Sequence, residues 1–274
     1  MSTVCVITGG GSGMGLEAAK FMPKDRIVVI SGRTISKLEK AVEELKALGI
    51  DARAHTCDTS DRASVRELAE YAASLGEIKN VINAAGISPG MKVTGEQLLR
   101  INALGTVYVN EEFSKKMQPG SVIVDISSNS AYILPKMMRV KKWFVYADQN
   151  EELFLKKALK LANLPKDAYQ KNGFAYSLSK AFVIWYAAKC AYEYGPKGIR
   201  VVSLSPGLIA TPMGELEKED GGFLIERAAE KRMGRPEELG FAIASVADER
   251  NGYLAGVDVL VDGGSYNHKA IKFL

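Results

Sequence analysis

Tyr176 and Lys180 stand four residues apart. On a helix that spacing puts both side chains on one face. An ordinary tyrosine loses its proton near pH ~10. A neighbouring ammonium favours the phenolate and lowers that value. The pair therefore suits general acid/base work on a carbonyl/alcohol couple. The same spacing also describes a packed tyrosine beside an unrelated surface lysine, because such pairs are common on helices. A second chemical signal is the run Thr8-Gly9-Gly10-Gly11-Ser12-Gly13-Met14-Gly15. It follows a strand-like run and opens a helix-like one. Glycines there let the backbone turn sharply and approach a pyrophosphate, which a helix N-terminus attracts. A tight glycine turn without a ligand is the plainer alternative.

These groups need elements to hold them. Short runs rich in Val and Ile predict strands at 4–8, 27–31, 52–56, 81–83, 122–127, 200–205 and 257–261. Their continuous apolar character suits a parallel sheet buried on both faces. Helices are predicted between them. In 36–48, Leu38, Val42, Leu45 and Leu48 share one face, and Gly49 ends the element. In 61–74, Asp61 supplies an N-cap. Stretches 96–117 and 174–194 are two longer helices. The alternation predicts an α/β chain with one domain, 1–274, built on a doubly wound, parallel, seven-stranded sheet with helices on both faces. Segment 132–172 breaks the rhythm. It carries Met137, Met138, Trp143, Phe144 and Tyr146, then a helix-like run Glu151–Ala162 ending near Pro165. So long a connection is often functional. It is expected to form a mostly helical flap that lends apolar residues to a substrate pocket. A separate small core or an oligomer contact would use the same residues.

Composition excludes several classes. Of 274 residues, 47% are apolar and 25% charged, the usage of an ordinary globular protein. No run of eighteen apolar residues is present, so no membrane span is expected. The start is too short and uncharged for a signal peptide. The formal net charge is only +4 and is scattered, which argues against a nucleic-acid partner. Cys5, Cys57 and Cys190 are isolated and lack C-x-x-C spacing. They suit a reducing, cytoplasmic setting rather than disulfides or zinc. With only His55 and His268, no metal centre is expected.

The glycine spacing is TGxxxGxG, not GxGxxG. It resembles the short-chain dehydrogenase/reductase family, in its branch of about 250 residues. The resemblance runs along nearly the whole chain, in order. Asn83-Ala84-Ala85-Gly86 resembles the family's NNAG. Asn102 sits in a helix, Ser127-Ser128 ends the fifth strand, and Tyr176 with Lys180 forms YxxxK. Pro206-Gly207-Leu208-Ile209-Ala210-Thr211 is similar to the family's PG loop, and Asp262-Gly263-Gly264 to its DGG.

The resemblance implies a Rossmann-type fold and four catalytic residues. Tyr176 would exchange the proton with the substrate oxygen, and Ser128 would hydrogen-bond that oxygen. Lys180 would lower the tyrosine pKa and hold the nicotinamide ribose. Asn102 would hold a water of the proton relay. Ser127 would face only the sheet or the cofactor. Cofactor contacts would come from Gly9, Ser12, Gly13, Met14 and Gly15, from Arg33 and Thr34, and from Asp58 and Thr59. Asn83, Ala84 and Gly86 would add to them, as would Tyr176, Lys180, Pro206, Gly207, Ile209 and Thr211. Asp58 alone would equally suit a turn before a helix. NAD-selective relatives carry an acid at the end of the second strand. Here Gly32 stands there and Arg33 follows, and a guanidinium pairs well with a phosphate. NADP(H) is therefore expected over NAD(H). The other reading leaves Arg33 in solvent or stacked on adenine.

Ser128 and Tyr176 lie 48 residues apart, longer than the family's usual connection. That layout resembles the branch with 3α-hydroxysteroid dehydrogenase/carbonyl reductase. It implies an oxidoreductase interconverting a ketone and a secondary alcohol, on a steroid-like or other lipophilic molecule. Relatives assemble through the two long helices, so a homodimer or homotetramer is expected. A catalytically silent, nucleotide-binding member serving regulation or assembly is the alternative. A sugar-nucleotide epimerase is a third reading, disfavoured by glycine spacing and chain length.

Overall fold

The computed structural model describes residues 2–135, 139 and 141–268. Met137 and Met138, expected above as pocket residues, lie outside them. The strands are β1 (Thr3–Thr8), β2 (Arg26–Gly32), β3 (Ala52–Thr56), β4 (Glu77–Asn83), β5 (Ser121–Ile126), β6 (Ile199–Pro206) and β7 (Asp258–Val261). They form one parallel sheet in the order β3-β2-β1-β4-β5-β6-β7. Central β1 shows why it forms: Val4, Cys5, Val6 and Ile7 are wholly buried, with side chains alternating between two apolar layers. Burial of one such side chain is worth roughly 1.5–3 kcal/mol. The order reverses between β1 and β4, which opens a crevice at their carboxyl ends.

Helices α1 (Gly13–Phe21) and α2 (Ile35–Ala47) cover one face of the sheet. On the other lie α3 (Arg62–Leu75), α4 (Gly95–Leu99) and α5 (Gly105–Ser114). A π-helical turn, Arg100–Leu104, joins α4 to α5. The long connection holds α6 (Ser130–Ile133), α7 (Lys141–Phe144) and α8 (Glu151–Ala162). Then come α9 (Ala168–Tyr194), α10 (Pro212–Arg227) and α11 (Pro236–Ala247). No described helix is long and apolar enough to cross a membrane.

Two boundaries differ from the sequence expectation by four residues or more. Strand β4 starts four residues early, at Glu77. Asn80 interrupts its apolar run, yet it is fully buried because its amide donates to the Ala247 carbonyl (2.8 Å) and accepts from Arg26. Helix α9 starts six residues early, where the Asp167 carboxylate accepts from the Gln170 amide (3.0 Å).

The long connection is helical but docks elsewhere than expected. Phe144 and Phe154 insert into the main core, 5.3 and 5.2 Å from the Phe182 ring on α9. Glu151 accepts from the Tyr108 hydroxyl of α5 (2.7 Å), and Asp148 pairs with Lys189 of α9 (2.7 Å). The connection thus covers the two helices expected to mediate assembly. No side chain is exposed from 101 to 114 or from 171 to 191.

Candidate active site

At the carboxyl ends of β1 and β4 the Thr8 hydroxyl donates to Asn83 Oδ1 (2.9 Å) and accepts from the Ala85 amide (3.1 Å). This bond fastens the glycine loop to the Asn83–Gly86 turn. Gly9 has a φ of +68°, and a Cβ there would lie 2.9 Å from the Ala84 carbonyl. A Cβ on Gly15 would lie 2.6 Å from the Gly9 oxygen. Only glycine lets loop, turn and helix close this tightly. The side chain of Ser12 makes no capping bond to α1. The first amides of α1 are therefore available to an anion.

Two cavities flank this loop. The smaller, about 190 Å³, is walled by Gly9, Ser12, Arg33, Thr34, Asp58, Thr59 and Gly86. Lys37, which the sequence reading missed, also walls it. Its signal was its place in the first turn of α2, just after Arg33 and Thr34. Ser31 Oγ is buried at this cavity without a partner among the described residues. Asp58 has both roles weighed for it: it walls the cavity and accepts from the Ser60 amide (2.9 Å) in the turn before α3.

The larger cavity, about 250 Å³, is walled by Met14, Ser128, Tyr176, Pro206, Gly207, Ile209 and Thr211. The side chains of Ser128 and Tyr176 share this wall, and the serine hydroxyl favours the phenolate of its neighbour. Helix α9 brings Tyr176 here, and Ser127 anchors that helix by donating to the Lys180 carbonyl (2.8 Å). The Lys180 ammonium lies beneath the tyrosine, 5.9 Å from its ring centroid, and donates to the Ile126 carbonyl (2.9 Å). Burial pulls this ammonium down to about 8. Burial, followed by the Glu217 carboxylate, pushes the Tyr176 phenol up. That direction is opposite to the lowering expected from Lys180, whose charge is turned to a backbone carbonyl. The group is thus a hydroxyl that can give a proton, and the phenolate it leaves is a strong base able to take one back.

Several expected contacts have positioning roles instead. Gly13, Gly15, Asn83, Ala84 and Lys180 wall neither cavity. Asn83 is spent inside the sheet, bonded to Thr8 and to Asp125 (3.0 Å). Asn102 likewise uses its side chain for positioning: its amide donates to the Ile87 carbonyl (3.0 Å) and to the Ser179 hydroxyl (3.3 Å), and its oxygen accepts from the Ile87 amide (2.9 Å). It thereby holds the turn containing Gly86. Thr211 walls the cavity and also caps α10, accepting from the Gly214 amide (3.1 Å). From segment 132–172 only Ile133 and Tyr169 are among the described walls. The expected aromatic lining from Trp143, Phe144 and Tyr146 is not found there, because the interior of the main core takes Phe144. Met213, Glu217, Phe223 and Leu224 of α10 complete the cavity.

Residues 3–147 match the family model described as short chain dehydrogenase, and 158–266 match one described as Enoyl-(Acyl carrier protein) reductase. Acetoacetyl-CoA reductase of Allochromatium vinosum is 25% identical, over 98% of this chain and 100% of that one. Cyclohexanol dehydrogenase of an Acinetobacter species is 26% identical, over 95% and 93%. The crystal structure of a short chain dehydrogenase from Burkholderia cenocepacia, in complex with NADP, has the same fold. Its TM-score is 0.76 at 23% identity, over 95% of this chain and 96% of that one. A family model that spans more than half of the sequence agrees with the doubly wound sheet and the glycine loop at its switch point. The chain belongs to the short-chain dehydrogenase/reductase family of oxidoreductases.

Proposed function

We propose that the protein is an NADP(H)-dependent oxidoreductase that interconverts a ketone and a secondary alcohol. The observation that carries this reading is the meeting of Ser128 and Tyr176 in one cavity wall above the Lys180 ammonium. Tyr176 gives its proton to the carbonyl oxygen in reduction and takes it back in oxidation. Ser128 holds that oxygen by a hydrogen bond. Lys180 holds the ribose next to the tyrosine. The nicotinamide, when bound, supplies or accepts the hydride.

The smaller cavity fits the other end of such a cofactor. Its glycine cradle admits a pyrophosphate against the open N-terminus of α1. Ser31 Oγ is a buried hydroxyl aimed at the same space. Arg33 and Lys37 give it two cations, and among the described walls Asp58 is the one acid. That balance favours the 2′-phosphate of NADP(H) over the bare ribose of NAD(H). The Burkholderia relative's complex with NADP supports the same choice. The apolar walls Ile133, Leu208, Met213 and Leu224 suit a lipophilic substrate, steroid-like or smaller.

The test is NADPH consumption with a panel of neutral ketones, followed for wild type and Tyr176→Phe. Turnover is expected in wild type and should fall about 100-fold or more in the variant, with NADPH binding retained. NADPH binding without turnover on any ketone would instead support the silent nucleotide-binding member.

A further inference from the structure

Ser128 stands where β5 gives way to α6, and its hydroxyl has to meet a substrate oxygen in a fixed direction. Backbone bonds to β6 hold the first part of this stretch. The Ser127 and Asn129 amides donate to the carbonyls of Leu204 (2.7 Å) and Pro206 (2.8 Å). The Ser130 amide donates to the Ser128 hydroxyl oxygen (3.2 Å), which leaves the hydroxyl hydrogen for the cavity. Beyond Asn129 the pairing with β6 ends, and side chains take over.

Two side-chain ties reach from here to β7 and to the turn that follows it. In the first, buried Asn129 donates its amide to Ser265 Oγ (3.3 Å), and Ser265 donates to Asp262 Oδ2 (2.9 Å). Asp262 also accepts from the amides of Gly264 (2.9 Å) and Tyr266 (2.8 Å), so its carboxylate shapes the turn. Gly263 and Gly264 take φ values of +62° and +79°, which suit glycine. In the second, the Tyr132 hydroxyl donates to Asp258 Oδ2 (2.6 Å), and Ser203 of β6 holds the other oxygen of that carboxylate (2.6 Å). The Tyr132 ring also lies 5.0 Å from that of Tyr266. Hydrogen bonds to a carboxylate are the stronger kind. Tyr132 and Ser265 are not among the described walls of the larger cavity, so an effect of either on turnover passes through the stretch it holds.

We propose that Tyr132 and Ser265 are positioning residues, which fix the direction of the Ser128 hydroxyl by tying its loop to β7 and the following turn. With a tie cut, the serine has more orientations to lose before it can meet the substrate oxygen. That slows the chemical step and leaves cofactor binding alone. A displacement of about 1 Å at a reacting group costs up to about 100-fold, and the loss of one of two ties costs less. The inference rests on the oxidoreductase reading of the site and adds to it a role for the chain's last strand and turn.

The experiment compares Tyr132→Phe, Ser265→Ala and the double variant in the NADPH-loaded protein. Each substitution removes one hydroxyl and keeps the rest of the side chain. With para-methylacetophenone, kcat should fall about threefold to tenfold in each single variant and further in the double, with KM for NADPH unchanged. Ser265→Thr, which keeps the hydroxyl, should restore the rate. In a Ser128→Ala background the same substitutions should cost nothing more, because the group they position is gone. Hydrogen exchange of the peptide spanning 127–134 should quicken in the variants while the urea midpoint holds. Wild-type kcat in both single variants, or a loss that persists in full in the Ser128→Ala background, would overturn the proposal. A wild type that turns over no ketone would overturn the oxidoreductase reading instead. Exchange then decides the ties by itself, and an unchanged rate across 127–134 would overturn them.

Discussion

Arg33 and Lys37 wall the smaller cavity from the end of β2 and the first turn of α2. Replacing Arg33 by Asp removes a phosphate partner and adds a carboxylate suited to a ribose hydroxyl. The ratio of kcat/KM for NADPH to that for NADH should fall at least about tenfold. A wild type that already prefers NADH would contradict the NADP assignment. Lys180 gives a pH test. Its ammonium is buried against the Ile126 carbonyl and holds its proton only up to about 8. Below that pH the charge is present, and above it the charge is lost. Cofactor affinity, read by fluorescence titration, should weaken as the pH rises through about 8. In Lys180→Met the affinity should be low throughout, with that limb missing.

Helix α9 does two jobs along its 27 residues. Near its start it presents Tyr176 to the cavity. Further on, Phe182 is wholly buried among Phe144, Phe154, Trp185 and Tyr186. Two of those rings come from the long connection, so its Phe144 and Phe154 belong to the core, while Ile133 and Tyr169 of the same segment wall the cavity. Phe154→Ala should therefore cost about 3–5 kcal/mol of stability, measured by urea unfolding. The variant's relative rates on large and small ketones should match wild type. A selective loss on bulky ketones would return the segment to the pocket. Ile133 and Tyr169, which do wall the cavity, are the positions where size preference should change.

Across the molecule, pH stability follows from packing. The chain's own α7 and α8 pack on part of α9, and Glu151 of α8 reaches Tyr108 of α5. The sheet itself contains a charge problem at Asp125 in β5. It is fully buried, accepts from Asn83 (3.0 Å) and Asn110 (2.9 Å), and burial still pushes it up to about 6. The folded chain thus binds this proton more tightly than the unfolded one. The resulting stability is complete below about pH 4 and is lost as the pH rises through about 6, a change of up to about 3 kcal/mol. Unfolding free energies of wild type and Asp125→Asn, compared across that window, should diverge in wild type's disfavour as pH rises. Parallel curves would show that Asp125 does not titrate there.

Local order in the sequence determined the parts that depend on neighbours in the chain. Val4 to Ile7 can be buried on both faces only as an inner strand. Gly9 and Gly15 mark a turn that a Cβ would block, and the spacing of Tyr176 and Lys180 needs nothing beyond a helix. Strand alternation then leaves few sheets to build, and the doubly wound one is observed. Tertiary structure alone decided the rest. Asn80 looks like a strand breaker until the Ala247 carbonyl and Arg26 satisfy it. Phe144 suits a pocket or a core equally well by composition, and the Phe182 ring fixed the outcome. Glu217 belongs to a charged run with no motif, and only the docking of α10 turns it toward Tyr176. The phenol's upward shift comes from burial and from that carboxylate, two effects of groups distant in sequence. Periodicity records which face of an element is apolar, whereas desolvation and charge depend on what packs against that face.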